Sequence, residues 1–395
     1  MGDSDLDSTR FAREVRRLDF IARRAWPILR PALRGYLGTR CRRCALPSAY
    51  AALDANGMCE ACARPEIQTS IDETVAYEHL NSEIGDILGR AHGVGGTYDA
   101  VMLFSGGKDS CWLLRRLQND FPQLRLLTLL VDNGFMSPIA LENAAWAIKQ
   151  FGVDFLVFKP DTGFVRKAFR LAFQQIPHQA GYSIVDAVDG QITFDTARNF
   201  AAGYGIPLVI SGLGRTQVRN IFGEARIEMT EEDEQNPLVR RHGLSLAAHF
   251  SKPEMSHWFD RARWPVERVP RVISPLVAWN PPEREIVDEL VAVGLLRPGS
   301  SSPLLTNNAF IPLIAVSEVA RFGYNTFEVE FSSLIREGRI ERDYWMNLFQ
   351  MVEYSARTGR FIGPAQREAL RTLDLSMSDL GLPASKVRHN GWMQS

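Results

Sequence analysis

The chain has 395 residues, of which 45% are hydrophobic and 23% charged, and its formal net charge at pH 7 is -1. This length can bury a sizeable core, which predicts a globular protein with one large domain and appendages, or with two domains. No apolar run reaches the roughly 18 residues of a membrane span, and the first residues lack the order of a signal peptide, so we expect a cytoplasmic protein without a membrane partner.

Residues 1–40 are predicted to form a basic amphipathic arm. Eleven arginines lie between Arg10 and Arg43, against Glu14 and Asp19, and apolar residues recur among them at nearly helical spacing. We expect a packed helix with a solvated arginine face, and the alternative is a surface that binds a polyanion such as RNA. The near-neutral charge of the whole chain does not favour a nucleic-acid partner.

Residues 41–70 are predicted to form a metal-binding knuckle. They contain two CxxC pairs with fourteen residues between them, formed by Cys41, Cys44, Cys59 and Cys62. Two such pairs provide four thiolates for one tetrahedral ion, which favours a structural zinc site because no coordination position stays open. Iron uses the same ligands, and disulfides are the further alternative, although they are rare in the cytosol.

Residues 98–286 are predicted to form an α/β domain, joined to the knuckle by a linker helix at 71–97. Apolar runs alternate with helical patterns, which is typical of a parallel sheet with helices on both faces. The predicted strands are Ala100–Phe104, Leu124–Val131, Phe155–Phe158 and Pro207–Ile210. Ligands of such sheets bind beyond the carboxyl ends of the strands, so we expect the residues after the first, second and fourth strands to converge.

The segment after the first strand has the composition of a phosphate-binding loop. It reads Ser105-Gly106-Gly107-Lys108-Asp109-Ser110, and a helical pattern follows at once. Adjacent glycines let backbone N–H groups converge on an anion, and the helix N-terminus adds unpaired donors. The first glycine is too close to the lysine for the pattern GxxxxGK[ST], so the segment predicts a phosphate site of another type.

This segment resembles the SGGxDS signature of the PP-loop ATP pyrophosphatases, and Arg271–Ile286 resembles a later segment of that family. The resemblance implies a PP-loop (HUP-like) domain that cleaves ATP, with Mg²⁺, between the α and β phosphates and leaves an adenylated substrate and pyrophosphate. It implies catalytic roles for Lys108, Asp109 and Ser110. The expected ATP site comprises these three residues together with Ser105, Gly106, Gly107, Asp132, Gly212 and Arg215.

Four of these assignments have an alternative that is purely structural. Asp109 either holds Mg²⁺ or caps the helix, and Asp132 either contacts the nucleotide or stabilises a turn. Gly212 either lets the backbone approach the ligand or is a turn glycine. Arg215 either grips phosphate or lies on the surface.

The knuckle sequence CRRCALPSAYAALDANGMCEAC resembles the element that precedes the PP-loop domain of N-acetyl sugar amidotransferases, with matches at Pro47, Asp54 and Gly57. The resemblance implies an ATP-dependent amidotransferase or ligase. It would adenylate a carbonyl oxygen of a small-molecule acceptor, such as an N-acetyl sugar or a natural-product intermediate, and then transfer nitrogen from a glutaminase or another donor protein. Many of those relatives have a further cysteine pair before the fourth strand, where this chain has Gly181, Asp186 and Asp189.

Two other function classes remain open at this stage. An ATP-dependent sulfurtransferase, of the thioamide or tRNA thiolation type, commonly needs a cysteine or an iron-sulfur cluster near ATP. Only Cys111 lies outside the knuckle, and its position in the first helical turn favours a small buried residue. The third class is a non-enzymatic module that binds nucleotide or RNA.

Residues 287–395 are predicted to form a helical C-terminal domain that closes the site or forms a homodimer. Asn307 and Asn308 are candidate substrate contacts. His242, His249 and His257 would suggest a metal only if they converged, and Gly243 and Pro253 do not favour the continuous helix that this requires.

Overall fold

The computed structural model describes residues 13, 16–64, 72–136, 138–175, 181–295, 310–360 and 364–380. Its described helices of eight or more residues are α1 Asp72–Ala91, α2 Lys108–Asp120, α3 Pro138–Phe151, α4 Thr162–Gln174, α5 Ile184–Tyr204, α6 Arg215–Phe222, α7 Glu283–Ala292, α8 Ile311–Phe322, α9 Thr326–Arg336, α10 Arg342–Thr358 and α11 Pro364–Thr372. Shorter helices are Trp26–Leu29, Glu60–Ala63, Pro237–His242, Leu246–His249, Lys252–Met255 and Leu276–Trp279. The strands are β1 Ala100–Leu103, β2 Leu126–Val131, β3 Asp154–Phe158, β4 Leu208–Ile210 and β5 Arg271–Ile273.

The five strands form one parallel sheet in the order β3-β2-β1-β4-β5. Ala100 in the central strand is in register with Leu126 on one side and with Leu208 on the other. The chain builds the sheet outward from β1 in one direction and then in the other, so the strand order reverses between β1 and β4. A reversal of this kind opens a crevice at the carboxyl ends of the two strands. The predicted α/β fold class is confirmed.

Both faces of the sheet are covered, which explains the continuous apolar runs of its strands. Along β1, Ala100 and Met102 pack with α2 and α3, whereas Val101 and Leu103 pack with α5 on the opposite face. All residues of β1, β2 and β4 are buried. Side chains alternate between the two faces of a strand. A strand that is buried on both faces therefore shows no alternation of polar and apolar residues.

The helices after β5 pack into two different hydrophobic cores. Helix α7 packs against α2 and joins the core on one face of the sheet through Ile286 and Leu290. Helices α8 and α11 instead share a second core with α4 and α5, in which Phe310 is completely buried. None of the described helices contains an apolar stretch long enough to cross a membrane.

The N-terminal arm packs against α10. Trp26 is buried, donates a hydrogen bond from Nε1 to Gln350 Oε1 at 3.2 Å, and meets the ring of Tyr354 edge-on. Asn347 on the same helix donates to the Ala22 carbonyl at 2.9 Å. Five arginines of the arm are exposed: Arg16, Arg17, Arg24, Arg30 and Arg34.

Candidate active site and metal centre

The loop between β1 and α2 is shaped by one glycine. Gly106 has φ of +73°, and a Cβ on it would lie 2.5 Å from the backbone nitrogen of Ala144 in α3. Both the left-handed backbone and the close approach of α3 therefore require glycine. Gly107 is extended, with φ of -73° and ψ of 163°, and forms the N-cap of α2. The predicted phosphate loop thus lies at the carboxyl end of the central strand and at a helix N-terminus.

Two hydroxyl groups line this loop. Ser105 Oγ lies 3.3 Å from Ser110 Oγ and accepts a hydrogen bond from the Gly107 nitrogen at 3.3 Å. Ser110 Oγ donates to the Gly107 carbonyl at 3.0 Å. The serines therefore hold the loop in shape and keep their hydroxyls beside its backbone N–H groups.

Lys108 is held between two carboxylates at the start of α2. Its Nζ lies 2.9 Å from Asp109 Oδ2 and 3.7 Å from Glu283 Oε1 of α7. Burial lowers the pKa of Lys108, but the charges of Asp109 and Glu283 outweigh this effect, so that its pKa is raised. The lysine is therefore cationic at neutral pH. The Asp109 carboxylate pairs with Lys108, whereas Gly107 occupies the N-cap position.

The loop after β4 lies directly against the phosphate loop. A Cβ on Gly212 would be 3.9 Å from the backbone of Ser110, which is ordinary van der Waals contact. The preceding Ser211 is anchored through its Oγ, which lies 2.6 Å from Ser274 Oγ beyond β5. The structure therefore brings Ser105–Ser110 and Gly212 together at the crevice between β1 and β4.

Two other predicted site residues are occupied by protein contacts. Arg215 donates from Nε to the Val277 carbonyl at 2.9 Å and from Nη2 to the Ala278 carbonyl at 3.3 Å. Asp132, at the end of β2, accepts from the Gly134 nitrogen at 3.0 Å and lies 2.8 Å from Lys159 Nζ. The contact of Asp132 with Gly134 is that of a turn residue, and its second oxygen faces an exposed lysine.

A group of ionisable side chains near Lys108 was missed by sequence reasoning as part of the site. Glu330 on α9 lies within electrostatic range of Lys108, Asp109 and Asp186. Burial and the charge of Asp186 raise the pKa of Glu330 to about 7, although Lys108 lowers it. Asp186, at the start of α5, accepts from Tyr182 Oη at 2.6 Å, and burial raises its pKa. Neither carboxylate has a local sequence signature, because tertiary packing alone brings α5 and α9 to the lysine.

The four knuckle cysteines converge on one point. All four are buried, and their Sγ atoms lie within 4.8 Å of one another, with Cys44 Sγ and Cys59 Sγ at 3.6 Å. A tetrahedral ion with metal–sulfur bonds of about 2.3 Å requires sulfur–sulfur distances of about 3.8 Å. The arrangement therefore fits a metal ion held by four thiolates.

The thiols influence one another's pKa values because they lie close together. Burial and the charge of Cys44 raise the pKa of Cys59 to about 11. Burial raises the pKa of Cys41 as well, but backbone N–H groups of Cys44, Cys59 and Arg43 oppose it and bring that pKa to about 6. Four ionised thiolates at this separation repel one another, so a bound cation is what allows all of them to be deprotonated.

The other candidate residues from the sequence are Cys111, three histidines and two asparagines. Cys111 is 1% exposed, and burial raises its pKa to about 12, so its thiol is protonated at neutral pH. Among the described residues, the four cysteines form the set of histidine, cysteine and acidic side chains that lie close enough together to hold a metal. His242, His249 and His257 are not part of this set. Asn307 and Asn308 lie outside the described residues.

Comparison with known proteins gives a short sequence match. No family model matches the chain. An uncharacterised protein of Methanocaldococcus jannaschii is 36% identical over 85 residues, which are 22% of this chain and 30% of that protein. The chain thus matches about a third of the relative's length.

Comparison with solved structures gives a weak likeness over most of the chain. The structure of the U34-tRNA thiolase NcsA from Methanococcus maripaludis with its [4Fe-4S] cluster aligns with 88% of this chain and 100% of that chain. The TM-score is 0.35 and the sequence identity is 14%. A likeness of this strength does not establish a shared activity.

Proposed function

We propose that the chain is an ATP-dependent enzyme of the PP-loop type, which adenylates a carbonyl oxygen of an acceptor and releases pyrophosphate. The observation that carries this proposal is the loop Ser105–Ser110, which places two glycines, two hydroxyls and a cationic lysine at the crevice where the strand order reverses. Backbone donors and a lysine at a helix N-terminus form a site for the β and γ phosphates of a nucleotide.

The loop supports departure of pyrophosphate. The acceptor oxygen attacks the α phosphorus, the bond from this phosphorus to the bridging oxygen breaks, and the bond electrons leave with pyrophosphate. Lys108 and the N–H groups around Gly107 offset the negative charge that develops on this leaving group. Glu283 and Asp109 hold the lysine amine at the loop before ATP arrives, so little rearrangement is required.

Asp109 is the residue that would hold Mg²⁺ together with the phosphates of ATP. Its side chain is 46% exposed, and its carboxylate oxygen faces the lysine amine beside the loop. Carboxylate and phosphate oxygens are the ligands that Mg²⁺ prefers in proteins. The ion would supply further neutralisation of the phosphate charges.

The first experiment measures the products formed from ATP. We expect AMP and pyrophosphate, formed only with a suitable acceptor, and a loss of at least about 100-fold in pyrophosphate release for Lys108→Ala. Lys149→Ala is the matched control, because Lys149 lies exposed on α3. Formation of ADP and phosphate, or full turnover by Lys108→Ala, would contradict the proposal.

For the second step we propose nitrogen transfer, in which ammonia attacks the activated carbon and AMP leaves with the former carbonyl oxygen. The support is the compact four-thiolate site, which fits a structural ion with all four positions filled. A glutaminase partner is the proposed source of ammonia, and the proposed acceptor is a small molecule.

Sulfur transfer is the second candidate, because it starts from the same adenylated intermediate and the four cysteines can also hold iron. Metal analysis and the visible spectrum of the purified protein separate the two. One zinc per chain in a colourless protein supports nitrogen transfer. A brown protein with acid-labile sulfide would transfer our preference to sulfur transfer, while leaving the adenylation step intact.

A further inference from the structure

Arg336, at the end of α9, reaches the metal centre from outside the knuckle. Its Nη1 donates a hydrogen bond to Cys44 Sγ at 3.4 Å, across 292 residues of sequence. Its Nη2 donates to Ser333 Oγ at 2.6 Å, one turn earlier on the same helix. The guanidinium is therefore fixed on its own helix with one nitrogen directed at a metal ligand.

The surroundings of this contact are apolar. Val329 and Ile335 of the same helix pack against the cluster formed by the four cysteines and Leu46. The backbone nitrogen of Cys59 provides a second N–H to sulfur contact, with Cys41 at 3.4 Å. Helix α9 thus covers one side of the knuckle. Its Arg336 supplies a contact to sulfur from a donor that carries a full charge.

The charge of the site gives this contact a chemical role. Four thiolates around a divalent ion carry a formal charge of about -2, which a buried position penalises. A guanidinium cation that donates to one sulfur offsets part of this charge and fixes the orientation of that ligand. Hydrogen bonds of this kind to metal ligands typically change metal affinity by about 10- to 100-fold.

We propose that Arg336 is a positioning residue of the metal centre, which holds Cys44 through its N–H donor and retains the bound ion. This role of Arg336 does not depend on the reaction that the crevice performs. It concerns a divalent ion of the zinc type, held by Cys41, Cys44, Cys59 and Cys62.

The test compares zinc retention by the full chain in competition with a chromophoric chelator. Arg336→Met keeps the length of the side chain but removes the donor and the charge, and we expect zinc to be lost at about 10- to 100-fold lower chelator concentration. Arg357→Met is the matched control, because this arginine is also fixed by hydrogen bonds, but to the carboxylate of Glu353 on its own helix instead of to a thiolate. We expect its zinc retention to stay within about twofold of the wild type.

Replacement of zinc by cobalt provides a spectroscopic signal that would not change if Arg336 only stabilised the fold. A hydrogen bond to a thiolate stabilises the electrons that the sulfur donates, so its loss should move the sulfur-to-cobalt charge-transfer band of Arg336→Met to longer wavelength. Arg336→Lys keeps the charge without the planar fork and serves if the methionine variant does not fold. Wild-type zinc retention together with an unshifted cobalt band in the folded variants would overturn the proposal.

Discussion

At the residue scale, the most constrained position of the candidate active site is Gly106. Its backbone is left-handed, and a β carbon would meet the backbone of α3 at 2.5 Å. Gly212 in the facing loop shows neither constraint, because a β carbon there would lie 3.9 Å from Ser110. The two glycines of one site therefore differ in how much they tolerate a side chain.

We predict that Gly106→Ala destabilises the fold by about 2 kcal/mol or more and weakens nucleotide binding, whereas Gly212→Ala changes stability by less than about 0.5 kcal/mol. The cost for Gly106 combines the left-handed backbone with displacement of Ala144. Urea denaturation measures stability, and fluorescence titration with a labelled ATP analogue measures binding. Equal behaviour of the two variants would show that the loop has another shape.

The sequence predicted the residues of the phosphate loop. It did not predict which distant residues the other site residues contact. Adjacent glycines, serines and a lysine before a helix have local chemistry that can be recognised without a structure. Arg215 could not be assigned in this way, because the Val277 and Ala278 carbonyls that it binds come from a helix sixty residues later. Glu330 lacked any local signal for the same reason.

At the scale of elements, the strands were predictable and the contacts between helices were not. Strands buried on both faces are short apolar runs, and the predicted limits agree with β1 to β4 within two residues. The sequence pattern indicates a helix over Gln191–Tyr204, whereas α5 begins at Ile184, where Ser183 accepts a hydrogen bond from the Asp186 nitrogen as a helix cap does. Aromatic and aliphatic residues recur at helical intervals between Glu328 and Thr358, and the structure divides this stretch into α9 and α10.

The junction of α8 and α9 contains a buried carboxylate with an unusual titration. Glu318 is 1% exposed and accepts hydrogen bonds from the Thr326 nitrogen at 2.9 Å and from Thr326 Oγ1 at 2.7 Å. Burial raises its pKa to about 7, despite these donors. Between the two pKa values, the folded chain therefore keeps a proton at Glu318 that the unfolded chain has released.

This raised pKa predicts how stability depends on pH. The contribution of protonated Glu318 is fully present below the unfolded pKa near 4.5 and is lost as pH rises through about 7, at a cost on the order of 3 kcal/mol. Glu318→Gln keeps an acceptor for Thr326 and removes the titration. We predict that this variant gains stability relative to the wild type between pH 5 and pH 8, by about that amount, in urea denaturation.

Glu254→Gln is the control of opposite sign. Hydrogen bonds from Lys167 and Ser251 lower the pKa of Glu254 to about 2. Its contribution is present above the unfolded pKa and disappears on acidification, so the glutamine variant should lose stability relative to the wild type at neutral pH. A Glu318→Gln variant whose stability tracks that of the wild type from pH 5 to pH 8 would contradict the assignment.

At the scale of the whole molecule, the residue that precedes the knuckle is attached to helices near the other end of the chain. Arg40 Nε donates to Glu328 Oε2 on α9 at 2.7 Å, and Arg40 Nη1 donates to Glu353 Oε2 on α10 at 2.7 Å. The three side chains are at most 3% exposed. The CxxC spacing predicted a metal site, but nothing in the local sequence indicated that the residue before Cys41 joins two distant helices.

This arrangement makes α9 a shared element of the two candidate sites. Glu328 of this helix binds Arg40 beside the knuckle, Arg336 contacts Cys44, and Glu330 lies near Lys108 at the phosphate loop. A bound ion fixes the knuckle, and the knuckle holds Arg40 between the two buried carboxylates. Without the ion, the Arg40 contacts lose the support of the knuckle, and breaking a buried ion pair costs about 3–5 kcal/mol.

We therefore predict that metal removal loosens a defined part of the molecule. After treatment with a zinc chelator, hydrogen exchange should increase in residues 38–64 and in α9 and α10, while β1, β2 and α2 keep their protection. The sheet has its own core on both faces and does not depend on the knuckle. Mass spectrometry of the exchanged protein measures both regions in one experiment.

Addition of zinc after the chelator is removed should restore protection in the same segments, which distinguishes metal loss from irreversible unfolding. An equal rise of exchange in the sheet would show that the metal supports the entire fold. Unchanged exchange in α9 and α10 would show that the Arg40 ion pairs hold these helices without the metal. The predicted pattern, with a protected sheet and loosened helices, follows only if the knuckle positions α9 beside the phosphate loop.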